Sequence, residues 1–300
     1  MKTLGYFLLA VVIVLLCSIR TEARDLSIVN GDSKFTSGDL QSLTTTTSDR
    51  CAVNGNSIWV VVDGQGDCIR YYAANLQNVN PSVLMFFSGD WLTNQLEVTG
   101  SYDRSPNSLQ QEVNQWSAAA GNRPYIFLAR PGTFGSSGSH GDRRRPREGK
   151  LVTAALDALK AKHNIGTFHM AGQSGGGGLV ATMVNMRTDV GCAVIASGNV
   201  SVWMLTNLRN KTVDANNATD SYDPVAHVSE IRPGKDLRII VLSSPRDMNV
   251  YYSTQLNYVE KLRLIGIQST HVQIEGSGRQ FHGLTPQARD YLNRCVSGGV

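Results

Sequence analysis

The chain has 300 residues, 41% of them hydrophobic and 17% charged, which is enough apolar side chain for a sizeable core and too much for a disordered tail. Its formal net charge is +4 and aromatics make up 7%, but Lys and Arg are scattered rather than striped, which argues against a nucleic-acid partner. Five cysteines make an odd set, and their positions decide what the count means.

Met1 and Lys2 precede an apolar run from Tyr6 to Ile19, followed by Thr21-Glu22-Ala23. A charged start, an apolar stretch and a small-residue end predict a signal peptide over residues 1–23, with the mature chain starting near Arg24. The run is shorter than the roughly 20 residues a membrane span needs, and Leu16 is too large to precede a lipidated Cys17. The expected location is therefore secreted or periplasmic, with no stable membrane insertion after cleavage. Cleavage removes Cys17 and leaves Cys51, Cys68, Cys192 and Cys295, an even set in an oxidising compartment. Of the three possible connectivities, Cys51 with Cys68 and Cys192 with Cys295 is favoured, because the first pair brackets one local hairpin. The spacing fits no zinc pattern, so neither a metal nor another cofactor is expected.

Residues 24–50 are rich in Ser, Thr, Asp and Gly without periodicity and read as a flexible N-terminal arm. Ser57–Asp63 and Cys68–Ala73 then form a predicted hairpin about a Gly-Gln-Gly-Asp turn. From there apolar strand runs (Val83–Ser88, Tyr125–Ala129, Phe168–Gly172, Cys192–Ser197, Leu237–Ser243, His271–Ile274) alternate with helical stretches (Gly149–His163, Leu179–Met186, Ser253–Leu264, Pro286–Cys295). Such alternation predicts an α/β fold with a mostly parallel central sheet flanked by helices. Residues 51–300 are read as one domain, since no repeat or linker divides them. Sequons at Asn199, Asn210 and Asn217 are glycosylation candidates and mark their region as exposed.

The strongest chemical signal is Gly172-Gln173-Ser174-Gly175-Gly176, placed after a strand run and before a helix, the context of a nucleophile elbow. A weak hydroxyl nucleophile needs a base and an acid that orients it, in the order Ser, Asp or Glu, His. Asp247 follows the strand run ending near Ser243, and His282 follows the last one. A turn or capping role is the plainer alternative for Asp247. His163, His169, His227 and His271 read as structural, and His140 reads as a surface-loop histidine rather than a cleft residue. Acyl transfer also needs an oxyanion hole. Gly175 supplies one amide, and Gly89 or Asp90, in the turn after the first long strand run, supplies the other. Arg143, Arg144, Arg145 and Arg147 form a dense basic cluster that reads as a solvated loop, with a grip on a substrate carboxylate or phosphate as the alternative.

These motifs, with Ala129-Arg130-Pro131-Gly132-Thr133-Phe134-Gly135-Ser136-Ser137, resemble the α/β-hydrolase family over roughly residues 80–295, and together are similar to a bacterial secreted subgroup of it. The resembling loop has the form Asp-x-Pro-Gly-x-Gly-x-Ser in the family, and Arg130 and the longer Gly-Ser stretch depart from that acidic form. The resemblance implies a serine hydrolase and places a short cap insertion at about 203–233. The expectation is a carboxylic ester cleaved through a Ser174 acyl-enzyme, the substrate being a small molecule or a peptide. A serine peptidase of the same fold and a catalytically silent binding protein are the alternatives.

Overall fold

The computed structural model describes residues 23–93, 96–100, 102–209 and 220–299. The predicted signal segment up to residue 22, Cys17, and the sequons at Asn210 and Asn217 lie outside them. No helix among the described residues is long and apolar enough to cross a membrane.

Residues 24–50 are not a loose arm. Strand β1 (Arg24–Asp25) pairs in parallel with β2 (Thr44–Thr45), and helix α1 (Ser37–Gln41) between them opens on a reciprocal capping box of Thr36 and Asp39. Leu26, Phe35 and Leu40 are buried. The segment lacks periodicity because its elements are too short to show one, yet three apolar anchors suffice to dock it. Helix α2 (Ser48–Ala52) follows.

The predicted hairpin forms from β3 (Ser57–Val62) and β4 (Gln65–Ala74), paired antiparallel about Asp63 and Gly64, both with positive φ. The remaining strands are β5 (Asn80–Phe87), β6 (Tyr125–Leu128), β7 (Ile165–Gln173), β8 (Val190–Ala196), β9 (Arg238–Ser243) and β10 (Ser269–Gln273). The large sheet runs β10-β9-β8-β7-β5-β6-β4-β3. Every pairing from β6 to β10 is parallel, whereas β4 meets both β3 and β6 antiparallel. Connecting helices are α3 (Pro106–Ala119), α4 (Pro146–His163), α5 (Gly175–Met186), α6 (Val202–Leu208), α7 (Tyr252–Leu264) and α8 (Thr285–Val296). Helix α3 has a start signal in Ser105-Pro106, where Ser105 caps the Ser108 amide and Pro106 occupies the first turn.

Alternation along β5 shows how two cores arise from one strand. Val83, Met85 and Phe87 pack with Leu151, Leu156, Val180 and Leu262 of α4, α5 and α7, while Leu84 and Phe86 pack with Leu109, Val113, Ala288 and Leu292 of α3 and α8. Helices therefore cover both faces, as a buried parallel sheet requires. Cys51 pairs with Cys68, and Cys192 with Cys295, closing separations of 17 and 103 residues. The second pair ties β8 to α8.

Candidate active site

The parallel strands end on one edge of the sheet, and their following loops gather the candidate residues there. Ser174 stands between the end of β7 and the start of α5 at φ 58° and ψ −123°, a sparsely populated conformation for a residue with a side chain. The neighbouring glycines make this turn possible. A Cβ on Gly172 would run into the Gly176 carbonyl, one on Gly176 into the Phe87 and Ser88 carbonyls, and one on Gly175 into the Asp90 carboxylate.

His282 and Asp247 meet as the sequence predicts. Nδ1 of His282 lies 2.8 Å from Oδ2 of Asp247, with the two side chains 15% and 1% exposed. The other carboxylate oxygen of Asp247 accepts the Asn249 and Val250 amides at 2.8 and 2.9 Å. Turn-capping and histidine-orienting roles thus share one side chain, an oxygen each. Nε2 of His282 is buried without a hydrogen-bond partner among the described residues. The loop carrying it is pinned by reciprocal backbone bonds between Ser277 and Gly283, by the Met248 amide donating to the Gln280 carbonyl, and by Gln173 Nε2 donating to the His282 carbonyl at 3.0 Å. Gln173 is the residue before Ser174, so this bond couples the elbow to the histidine loop. Only its place inside the pentapeptide marked it in advance.

On the other side of Ser174, the turn after β5 passes so close that a Cβ on Gly89 would come within 3.3 Å of Ser174 Cβ. The backbone of Gly89 and Asp90 thus borders the nucleophile beside the Gly175 amide. The amide of Trp91 is already committed, donating to His140 Nε2 at 3.0 Å.

His140 is therefore no surface residue. It is fully buried, and burial, followed by the positive charge of Arg130, holds its imidazole well below its usual range. With Nε2 accepting, the neutral ring carries its proton on Nδ1. Nor is the basic cluster a solvated loop. Arg143 and Arg144 are largely buried and, with Arg130, converge on the Asp90 carboxylate. Arg130 also pairs with Glu148 at 2.8 Å. Burial of Asp90 works to raise its carboxyl pKa, but Arg144, Arg130 and Arg143 together hold it well below the usual carboxylate range. Burial brings Arg143 down to about 10. Arg145 and Arg147 lie further out, paired with Asp142 and Asp220, and with Asp67. Arg130, which departs from the usual form of the resembling loop, is thus the central cation of a buried network. A charge run signals solvent only when its counter-charges are local, and the buried Arg143 and Arg144 find theirs in Asp90, more than 50 residues back in sequence.

The other histidines are structural. Tyr71 hydroxyl meets His163, His169 Nδ1 accepts the Cys192 amide, His227 pairs with Glu230 and His271 with Ser243. Burial depresses His169 to about 4.

A cavity of about 550 Å³ opens over Ser174, lined among others by Asp90, Arg144, Asn199, Arg209 and Asn249. Asn199 corrects a second expectation of exposure. It is half-buried on the wall of this cavity, its backbone N–H donating to the Ser174 carbonyl at 3.0 Å and its side-chain Oδ1 buried. The following residues of its sequon, Val200 and Ser201, are fully buried, so a glycan there would have to displace the cavity wall. From the segment read as a cap, Leu205 on α6 and Arg209 just after it reach the cavity. No cluster among the described residues could hold a metal ion.

Strand order, helices on both faces and a strained serine on the turn from β7 to α5 give the chain the α/β-hydrolase fold. Residues 152–291 match the model of the prolyl oligopeptidase family, which supports hydrolase chemistry. Solved structures agree on the fold. The Pyrococcus furiosus esterase Pf2001 has a TM-score of 0.59 at 9% identity, with 85% of this chain and 96% of that one covered. Est1E from Butyrivibrio proteoclasticus has a TM-score of 0.54 at 12% identity, with 82% and 99% covered. The Pyrococcus horikoshii acylaminoacyl peptidase has a TM-score of 0.52 at 10% identity, with 80% of this chain but 40% of that one covered. No curated protein sequence matches the chain.

Proposed function

We propose that the chain is a secreted serine hydrolase that cleaves a carboxylic ester through a Ser174 acyl-enzyme. The observation that carries this reading is the Asp247–His282 pair, made at 2.8 Å while Nε2 of the same imidazole is left without a partner, in a fold whose elbow holds Ser174 in a strained turn. Bound to Asp247 through Nδ1, the histidine presents Nε2 as the base. Ser174 Oγ attacks the ester carbonyl and its proton passes to Nε2. The oxygen of the tetrahedral intermediate is held by the Gly175 amide and by the backbone of Gly89 and Asp90. Collapse expels the alcohol, which takes the proton from His282. Water then attacks the acyl-enzyme by the same route in reverse, releasing the acid and restoring Ser174.

A serine peptidase is the second reading, favoured by the match to the prolyl oligopeptidase family over residues 152–291. The ester reading is preferred because this chain spans nearly the whole of the two esterases but about two fifths of the acylaminoacyl peptidase. Secretion follows from the predicted signal segment and is supported by the two paired cysteine couples. A fluorophosphonate probe should label the folded protein, and Ser174→Ala should remove both labelling and turnover of short p-nitrophenyl esters, a loss on the order of 10⁴-fold or more. Absence of labelling in folded wild-type protein would favour the silent binding protein, and faster turnover of aminopeptide substrates would favour the peptidase.

A further inference from the structure

One cation on the cavity wall has no role in this chemistry. Arg209 lines the same cavity as Ser174. Its guanidinium donates to Oδ1 of Asn249 at 2.7 Å and also to the Asn249 backbone carbonyl. Both acceptors are neutral, and among the described residues no carboxylate lies within ion-pair reach of it. Arg209 shares the cavity wall with Asp90 and Arg144 and with Asn249, two residues after Asp247.

The surrounding charges do not cancel. Among the described residues, Asp90, Glu148 and Asp247 carry three negative charges against the four positive charges of Arg130, Arg143, Arg144 and Arg209, which leaves one positive charge over. The other polar groups on that wall include Thr93, Thr99, Asn199, Asn249 and Gln280, all neutral. A concave site with a surplus of one sign concentrates ligands of the other. A planar guanidinium held from one side, with its remaining donors directed elsewhere, matches the geometry of a carboxylate.

We propose that Arg209 is a substrate-binding residue and that the ester cleaved at Ser174 bears a free carboxylate, which pairs with Arg209 while the scissile carbonyl sits at the elbow. The inference rests on the serine-hydrolase reading and deepens it by naming the substrate class. The Asn249 bonds aim the guanidinium, so the carboxylate meets a cation already oriented.

The test compares kcat/KM at low ionic strength for two matched pairs of esters. One pair places the carboxylate on the acyl side, mono-p-nitrophenyl glutarate against p-nitrophenyl valerate. The other places it on the leaving group, p-carboxyphenyl butyrate against its carboxamide analogue. The wild-type protein should prefer the carboxylate in at least one pair by about tenfold or more, as expected for a charge-assisted contact, and the responding pair tells which side of the ester carries it. Arg209→Gln should bring that ratio close to one, Arg209→Lys should retain part of it, and Arg232→Gln, a charge control on the exposed segment before β9, should leave it at the wild-type value. The proposal is overturned if a wild-type protein that hydrolyses the neutral esters shows no carboxylate preference, or if the preference survives Arg209→Gln. Failure to label with fluorophosphonate, together with no turnover of any of the four esters, would instead sink the serine-hydrolase reading and this inference with it.

Discussion

The two flanks of Ser174 are built on opposite principles. On the side of β9 and β10, one carboxylate and one imidazole, carried by short loops, make a single 2.8 Å contact. On the side of β5, three arginines, two carboxylates and a neutral histidine are buried together behind Asp90. Each flank contains a histidine. Each imidazole has one nitrogen partnered and one without a partner among the described residues, but His282 is anchored to the Asp247 carboxylate, whereas His140 is anchored to the Trp91 backbone amide. The difference separates chemistry from scaffolding. The first flank backs its imidazole with a carboxylate, which is what the proposed base needs, whereas the second buries a neutral imidazole among cations that keep it from taking a proton.

Substitutions should divide along the same line. Asp247→Asn leaves an oxygen for the Asn249 and Val250 amides but loses the charge behind the imidazole, so ester turnover should fall about 10²–10⁴-fold while the melting temperature stays within a few degrees of wild type. A large loss of stability with this variant would mean that the first flank is scaffolding too. Arg130→Met should behave in the opposite way. It strips a fully buried cation from Asp90 and Glu148, and leaving buried charges uncompensated costs about 3–5 kcal/mol, readable by urea unfolding. A loss below about 1 kcal/mol would show that the remaining arginines suffice.

Acidification should sharpen the contrast between histidines. His140 lies well below its usual range and His169 at about 4, so on acidification the unfolded chain takes up protons at these positions before the folded one does. Stability is therefore complete above about 6.5, the ordinary histidine value, and falls as the pH drops from there towards 4. Thermal melts between pH 7 and pH 4 should show a decline that His169→Gln makes shallower. The smallest expected difference is between the two cysteine pairs. By loop closure, losing the 103-residue link should cost about 1–2 kcal/mol more than losing the 17-residue one, which Cys192→Ser with Cys295→Ser and Cys51→Ser with Cys68→Ser would compare.

Legibility in the sequence followed these principles as well. The hairpin, the strands of the parallel sheet and the helices α4, α5, α7 and α8 could be read because each is long enough to show its period. Ser174, Asp247 and His282 could be nominated because each lies on a loop that follows a strand, in an order the resemblance supplied. Asp90, Arg130 and Arg144 could not be placed, since their pairing spans 40 and 54 residues and depends on burial that only the packed sheet creates. The same blindness made His140 a surface residue, residues 24–50 a loose arm and Asn199 an exposed sequon. Each lies in a polar stretch, and each is held by partners outside it: His140 by the Trp91 amide, the arm by its pairing and its buried Leu26, Phe35 and Leu40, and Asn199 by the Ser174 carbonyl. Arg209 escaped notice as one of many scattered cations, with no local pattern to separate it from the rest.

The link between Cys192 and Cys295 bears on what happens when the backbone is cut. Ser174 precedes Cys192, while Asp247 and His282 both lie between the two cysteines. A protease that opens a single peptide bond between residues 192 and 247 therefore yields two polypeptides, one with Ser174 and the other with Asp247 and His282. Under oxidising conditions they stay joined as one covalent molecule, and a reductant would let them part. In an extracellular setting rich in proteases, such a nicked molecule would migrate as two bands only after reduction.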